Sequence, residues 1–212
     1  MRILQGLNER GKRHILCAKI KQIKDNLFYN DAQQHLEDKK DSANKFDNAI
    51  EWAIEFPEVI DENGKFTGFD IVIGNPPYIQ LQKMNNGADT LAKMNYATYV
   101  RSGDIYCLFY ELAYKLLKKN GMLAYISSNK WMRAGYGEAL RNFLVTKTDP
   151  VQLIDFSGEK VFQKVTVDVN ILIYRKAENQ FNTLSCIIKG SDWRNNLSDY
   201  VRQYAVSNRF DS

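Results

Sequence analysis

The chain has 212 residues, of which 44% are hydrophobic and 25% are charged, and its formal net charge is +4. This length and composition are ordinary for one soluble globular domain with a full core, and the weak positive charge permits a nucleic-acid partner without establishing one. No apolar run approaches the length of a membrane span, and the first residues lack the apolar core of a signal peptide. The sequence therefore predicts no membrane partner.

The first part of the chain, residues 1–50, is polar and predicts a helical or linker segment, with apolar positions at helical spacing over residues 10–23. The two histidines, His14 and His35, lie here without a carboxylate or cysteine cluster at ligand spacing. The three cysteines are widely separated along the chain: Cys17, Cys107 and Cys186. These patterns predict reduced thiols and neither a metal site nor a disulfide framework.

From residue 69 onward, strand patterns and helix patterns alternate. A strand over residues 69–74 precedes a polar stretch, 79–102, which predicts a long loop. The elements predicted after it are a helix starting at Gly103-Asp104, a strand over 122–127, a helix over 135–145, and strands over 151–156 and 167–174. This order predicts an α/β fold with half of an open sheet that ends in an antiparallel pair. After Ala177 the pattern weakens into polar sequence.

The first predicted strand runs into the tetrapeptide Asn75-Pro76-Pro77-Tyr78. Two consecutive prolines have a fixed φ and no backbone N–H, so the chain must leave the sheet in a stiff, extended turn. The turn holds the Asn75 amide and the Tyr78 ring at the carboxyl end of a strand, where open α/β sheets bind ligands. An amide beside a rigid carbonyl can accept two hydrogen bonds from an amino group, and a phenol ring can stack on a planar heterocycle. The alternative is an ordinary Pro-Pro turn with Tyr78 packed on the surface.

The segment Ile73-Gly74-Asn75-Pro76-Pro77-Tyr78 resembles the catalytic motif of amino-group methyltransferases that use S-adenosylmethionine. The likeness is strongest to the adenine-specific DNA methyltransferases of type II and type IIG restriction-modification enzymes. It extends from about residue 46 to residue 175 and includes the approach segments Glu55-Phe56-Pro57-Glu58-Val59 and Gly68-Phe69-Asp70. The resemblance implies the catalytic half of a Rossmann-like methyltransferase sheet in a prokaryotic cytoplasm. It further implies methyl transfer from S-adenosylmethionine to the amino group of an adenine flipped out of double-stranded DNA.

The resemblance assigns the catalytic motif to Asn75, Pro76, Pro77 and Tyr78. The Asn75 side chain and the Pro76 carbonyl would accept both amino hydrogens, which positions the nitrogen for attack without a covalent enzyme intermediate. Tyr78 would stack on the flipped base, and Phe162, in the segment that follows the strand over 151–156, would contact the other edge or face of the base. Phe162 also suits a core position at the end of a strand.

Two further positions follow from the resemblance of Gly103-Asp104-Ile105-Tyr106-Cys107-Leu108-Phe109 to a family segment that lines the cofactor and base pocket. Tyr106 would bind the substrate, and Asp104 would bind the cofactor together with Asn75. Asp104 also suits the N-cap of the helix that starts here. Trp131, just past the next strand, is expected to border the same cleft or to belong to the core.

The chain departs from the family at the cofactor site, because residues 1–69 contain no Gly-x-Gly and no glycine that follows an apolar strand. We therefore expect a piece of a larger enzyme that binds S-adenosylmethionine weakly or not at all on its own. Its predicted parts are a helical or linker segment (1–50), the catalytic half of the methyltransferase domain (51–177), and the start of a segment toward a missing target-recognition domain (178–212). A half-sheet exposes an edge, so pairing with a second copy is expected.

Two alternatives stay open at this point. Enzymes that methylate amino groups of RNA or of protein glutamine side chains share Asn-Pro-Pro-Tyr. The tetrapeptide therefore does not distinguish these acceptors, and only the restriction-type approach segment and Phe162 favour adenine in DNA. A non-catalytic DNA-binding or scaffold module that retains the motif is the second alternative.

Overall fold

The computed structural model describes residues 56–63, 65–84, 86–162 and 167–211. The chain divides into two compact units, Met1–Thr67 and Gly68–Ser212. In the described part of the first unit, a 3-10 turn at Pro57–Val59 is followed by an antiparallel bridge between Ile60 and Phe66. The helical or linker segment predicted over residues 1–50 lies outside the described residues.

The second unit contains a mixed sheet of six strands. The strands are β1 (Phe69–Gly74), β2 (Leu117–Ser128), β3 (Asp149–Asp155), β4 (Val169–Arg175), β5 (Thr183–Ile187) and β6 (Val206–Asn208). Their order across the sheet is β1-β2-β4-β3-β5-β6. β1 is parallel to β2 and β3 is parallel to β5, whereas β4 is antiparallel to both β2 and β3. The predicted α/β class is therefore confirmed, and so is the antiparallel pair.

Helices pack on this sheet through apolar side chains. They are α1 (Asn86–Lys93), α2 (Tyr106–Leu116), α3 (Glu138–Lys147) and α4 (Leu197–Tyr204). The core contains side chains of α2 and α3, such as Tyr110 and Leu140, together with the buried sheet residues Leu123 and Leu172. A second core cluster, around Phe156, joins α4 to the opposite face of β3 and β5.

The prediction of one long loop over residues 79–102 is wrong. A 3-10 turn at Leu81–Lys83 and α1 occupy much of this stretch. Leu81 and Ala88 are both almost completely buried, which ties the two elements to the core. A helix this short depends on tertiary packing rather than on intrinsic propensity, so its polar sequence gave little local indication of it.

The polar sequence after Ala177 also forms regular structure. β5 and β6 add two strands beyond β3, and α4 buries Val201 in the cluster that contains Cys186 of β5. A strand with exposed apolar residues shows no clear alternation of buried apolar and exposed polar positions in its sequence. Leu184 of β5 and Val206 of β6 are exposed, so the sequence pattern of these strands was weak. The domain boundaries proposed from the sequence stay predictions.

One face of β1 is apolar and exposed. Because successive strand residues point to opposite faces, Val72 packs against the core, whereas Ile71 and Ile73 are 61% and 77% exposed. Within the part of the chain that the structure describes, β1 pairs with β2 alone. Self-association through the other edge of β1 stays a prediction.

Candidate active site

The tetrapeptide motif starts where β1 ends. A side-chain carbon at Gly74 would lie 3.1 Å from the Tyr125 ring, so glycine allows the strand end to pack closely on that ring. Asn75 is exposed and Pro76 is buried. The motif therefore presents its amide side chain to the surface at the carboxyl end of a strand, as predicted.

The segment after the motif is anchored by backbone hydrogen bonds. The Leu81 N–H donates to the Gly103 carbonyl at 2.9 Å, and the Ile105 N–H donates to the Ile79 carbonyl at 2.9 Å. An antiparallel bridge joins Gln80 to Asp104 between them. Two stiff prolines on one side and this pairing on the other fix the course of the motif.

The two polar side chains of the motif bind each other. The Tyr78 hydroxyl donates to Oδ1 of Asn75 at 2.9 Å and lies 3.5 Å from the Ile126 carbonyl oxygen. Burial raises the pKa of Tyr78, so the hydroxyl remains a donor at neutral pH. A carboxamide oxygen has two lone pairs, so Asn75 retains one acceptor position for a ligand.

Tyr106 supports Tyr78 from within the core. Its side chain is completely buried, and its ring meets the Tyr78 ring edge-on, with centroids 6.1 Å apart and planes at 81°. This T-shaped contact fixes the orientation of the half-buried Tyr78 ring. The role of Tyr106 in binding substrate stays a prediction; its contact with Tyr78 is what the structure establishes.

Asp104 is not a helix N-cap. α2 begins at Tyr106 with Ile105 at the N-cap position and no side-chain cap, because the bridge to Gln80 keeps Asp104 in extended pairing. Instead Oδ2 of Asp104 accepts a hydrogen bond from the Tyr136 hydroxyl at 3.0 Å. Among the described residues, Oδ1 of Asp104 has no hydrogen-bond donor, so the carboxylate keeps an acceptor for a ligand.

Tyr136, which the sequence pattern did not single out, contacts two of the predicted site residues, Asp104 and Tyr106. It lies in the 3-10 turn Gly135–Gly137, and its ring lies so close to Gly103 that a side-chain carbon there would be 3.1 Å from the ring. Arg141 supports this turn by donating to the carbonyl of Ala134, the residue before it, at 3.2 Å, and it also donates to the Trp131 carbonyl at 2.6 Å. In the local sequence, the position of this tyrosine between two glycines was the only indication of a tight turn.

The two glycines of this turn give a matched test of its packing. A side-chain carbon at Gly137 would lie 1.9 Å from the Trp131 carbonyl oxygen, whereas nothing lies within 4 Å of such a carbon at Gly135. We expect Gly137→Ala to lower the free energy of unfolding by about 3 kcal/mol or more and Gly135→Ala to change it by less than about 1 kcal/mol. Urea denaturation of the two variants measures this, and equal stabilities would contradict the close approach.

Phe162 and Tyr78 pack against the same apolar cluster. Both are partly buried side chains on the cluster around Phe156, Ile154 and Val169. The structure thus places both predicted base-contacting rings against this cluster, and Tyr78 also packs against the core cluster that contains Tyr106. The residues that follow, 163–166, lie outside the described residues, and the contact of Phe162 with a base stays a prediction.

A polar clamp joins the ends of β2 and β3. Nδ2 of Asn129 donates to Oδ1 of Asp155 at 2.9 Å, and the Ser157 N–H donates to the same oxygen at 3.1 Å. Asp155 is buried at the end of β3, and Asn129 follows the end of β2. The clamp sets where the chain that leads to Phe162 leaves the sheet.

Removal of the clamp is expected to destabilise the fold. Asp155→Ala would leave the Asn129 amide and the Ser157 N–H without their acceptor, which costs about 1–3 kcal/mol in free energy of unfolding. The matched control is Asp192→Ala at an exposed position, where we expect a change below about 0.5 kcal/mol. Thermal and urea unfolding distinguish the two, and equal effects would show that the clamp carries no stability.

The structure also bears on Trp131, on metal-binding groups and on membrane-spanning helices. Trp131 belongs to the core, since it is 1% exposed and packs at a tilt against Tyr110. In the described ranges, no group of three or more histidine, cysteine or acidic side chains could hold a metal ion, and no helix is long and apolar enough to cross a membrane.

Comparison with known proteins places the chain in a family of methyltransferases. The family described as Eco57I restriction-modification methylase matches residues 5–162. The type II restriction enzyme and methyltransferase RM.Eco57I of Escherichia coli is 32% identical over 117 residues, which is 54% of this chain and 12% of that protein. The adenine-specific methyltransferase BrxX of Escherichia coli O9:H4 is 29% identical over 101 residues, which is 48% of this chain and 8% of that protein. The chain therefore spans only a small fraction of the length of these relatives.

Solved structures show the same fold. The methyltransferase subunit of a type I restriction-modification system from Streptococcus thermophilus superposes with a TM-score of 0.52 at 17% identity, over 68% of this chain and 35% of that chain. At this identity the likeness concerns the fold alone, and it agrees with the partial Rossmann-like sheet expected from the sequence.

Proposed function

Because the chain belongs to the Eco57I restriction-modification methylase family, we propose that it forms the catalytic-motif part of an adenine-specific DNA methyltransferase. The enzyme would transfer a methyl group from S-adenosylmethionine to the exocyclic amino group of an adenine flipped out of duplex DNA. The observation that carries this proposal is the exposed Asn75 amide at the end of β1, held by the Tyr78 hydroxyl. The relatives named restriction-modification methyltransferases and the adenine-specific relative support the substrate class.

The Asn75 amide would act by accepting hydrogen bonds. One lone pair of Oδ1 accepts from Tyr78, and the other would accept one amino hydrogen of the adenine. The Pro76 carbonyl would accept the second amino hydrogen, which draws the nitrogen lone pair out of conjugation with the ring. Neither group is a strong base, so the proton released on methylation would leave to solvent. Catalysis would then rest on positioning and electrostatics.

The two aromatic rings would hold the flipped base. Flipping costs a few kcal/mol, and stacking on an aromatic side chain contributes about 1–3 kcal/mol per base. Tyr78 and Phe162 together would roughly balance that cost, which is consistent with their position on one cluster.

S-adenosylmethionine would supply an electrophilic sulfonium methyl group when bound. Two described residues could bind polar groups of the cofactor, since Asp104 retains a carboxylate oxygen and Asn75 has an exposed amide. Without a Gly-rich segment in residues 1–69, we expect this chain alone to bind the cofactor weakly. Location in a reducing cytoplasm also stays a prediction, in line with the two buried free thiols Cys107 and Cys186.

The proposal is tested with the complete enzyme that contains this sequence. Given labelled S-adenosylmethionine, it is expected to label duplex DNA, with N6-methyladenine as the product by mass spectrometry. Label in RNA or in protein but not in DNA would favour the other amino-group methyltransferases. DNA binding without label in any acceptor would favour a scaffold module. The same assay on this chain alone measures how much of the activity it retains.

A further inference from the structure

Three side chains from two separate segments form a hydrogen-bonded chain behind the motif. The Tyr136 hydroxyl donates to Oδ2 of Asp104 at 3.0 Å, and the Tyr106 hydroxyl oxygen lies 2.9 Å from the Tyr136 hydroxyl oxygen. A neutral hydroxyl has one proton to donate. Because Tyr136 donates to the carboxylate, Tyr106 must donate to Tyr136. The hydrogen bonds are therefore donated from Tyr106 to Tyr136 and from Tyr136 to Asp104.

The Tyr106 hydroxyl depends on Tyr136. Tyr106 is completely buried, and among the described residues Tyr136 is the hydrogen-bond partner of its hydroxyl. A buried hydroxyl without a partner is strongly unfavourable, so loss of the Tyr136 oxygen would drive the Tyr106 side chain to seek another acceptor. Burial raises the pKa of both tyrosines, so both hydroxyls stay protonated at neutral pH.

A shift of Tyr106 would reach the motif directly. Its ring meets the Tyr78 ring edge-on at 6.1 Å, and the Tyr78 hydroxyl in turn binds the Asn75 amide. The contacts thus continue from Tyr136 to Asn75 without a gap. Tyr136 itself has little freedom, because its ring lies against Gly103 and Arg141 binds the Ala134 carbonyl at the start of its turn.

We propose that Tyr136 is a positioning residue for methyl transfer, whose hydroxyl holds the Tyr106 ring and, through it, the Tyr78 ring in the orientation that receives the base. The same hydroxyl fixes the Asp104 carboxylate through Oδ2 and leaves Oδ1 for the cofactor. This inference rests on the proposed function for its consequence in catalysis. It adds a residue outside the tetrapeptide and outside the two base-contacting rings.

The test variant is Tyr136→Phe, which keeps the ring against Gly103 and deletes the hydroxyl. In the complete enzyme we expect kcat to fall by about 5- to 10-fold while KM for duplex DNA changes less than about 2-fold, because the ring geometry is used after DNA has bound. 2-Aminopurine at the target position should show a smaller flipping signal. The control is Tyr174→Phe, which deletes a hydroxyl that donates to the Tyr110 carbonyl at 2.7 Å in the core. That variant is expected to lose stability and keep its kcat.

A second readout does not need activity. In this chain, ring resonances of isotope-labelled Tyr78 are expected to shift or broaden in Tyr136→Phe and to stay unchanged in Tyr174→Phe. Unchanged Tyr78 resonances in Tyr136→Phe overturn the inference, and so does an active enzyme with wild-type kcat, or an equal fall of kcat in both variants. If the wild-type enzyme methylates no DNA, the proposed function fails, and the resonances of Tyr78 still decide whether Tyr136 positions it.

Discussion

Asn75→Ala is expected to lower kcat for methylation of duplex DNA by about 10²- to 10³-fold, the effect of removing one preorganised polar group that acts on the reacting atoms. The variant deletes one of the two acceptors proposed for the amino group and leaves the Pro76 carbonyl as the other. KM for DNA should change little, because the phosphate backbone provides most of the affinity of a DNA-binding protein. Single-turnover transfer of labelled methyl measures the chemical step.

The Asn75 side chain is exposed, so the stability of Asn75→Ala can be measured as a control for its activity. Its contact within the motif is the Tyr78 hydroxyl, and we expect the free energy of unfolding to change by about 1 kcal/mol or less. Asn142→Ala, at an exposed position on α3, is the matched variant and should keep full activity. Full activity of Asn75→Ala would remove the catalytic assignment of this residue.

Tyr78→Ala is expected to lower the rate of methylation by about 5- to 150-fold, because stacking contributes about 1–3 kcal/mol per base. Tyr78→Phe keeps the ring and deletes only the hydroxyl that orients Asn75, so a fall of about fivefold is expected. The two variants thus separate stacking from amide orientation. A 2-aminopurine flipping signal should be weak in Tyr78→Ala and near wild type in Tyr78→Phe.

Tyr204→Ala provides the control for loss of a large exposed ring. This tyrosine is 53% exposed on α4, where its ring packs at a tilt against Tyr200 with centroids 4.6 Å apart. We expect its loss to leave methylation unchanged. Wild-type rates and flipping signals in Tyr78→Ala would show that the ring does not contact the base.

The sequence predicts the parts of this fold that depend on neighbours along the chain. β1 is an apolar run that ends at a glycine and two prolines, so its end and the exit of the chain from the sheet follow from backbone sterics alone. The antiparallel pair β3–β4 likewise follows from two apolar runs in succession, and the helices on either side of β2 from apolar spacing. The motif and its place at the end of a strand therefore follow from local sequence.

Contacts between distant segments account for what the sequence did not reveal. Leu81 and Ala88 pack into the core and convert a polar stretch into a turn and a helix, although the helix is too short to be stable by propensity. β5 and β6 join the sheet only by pairing with β3 and with each other. In both places the stabilising partner lies elsewhere in the chain, so a local pattern does not contain it.

The tetrapeptide and the identity of its acceptor groups are thus properties of the sequence, since proline geometry and the chemistry of an amide do not depend on the rest of the fold. The orientation of those groups was decided by tertiary structure. Asp104 became the acceptor of a tyrosine 32 residues away instead of a helix cap, and Tyr106 found its partner 30 residues away. Hydrogen bonds of buried hydroxyls are made with whatever group the fold brings near, and burial makes them obligatory.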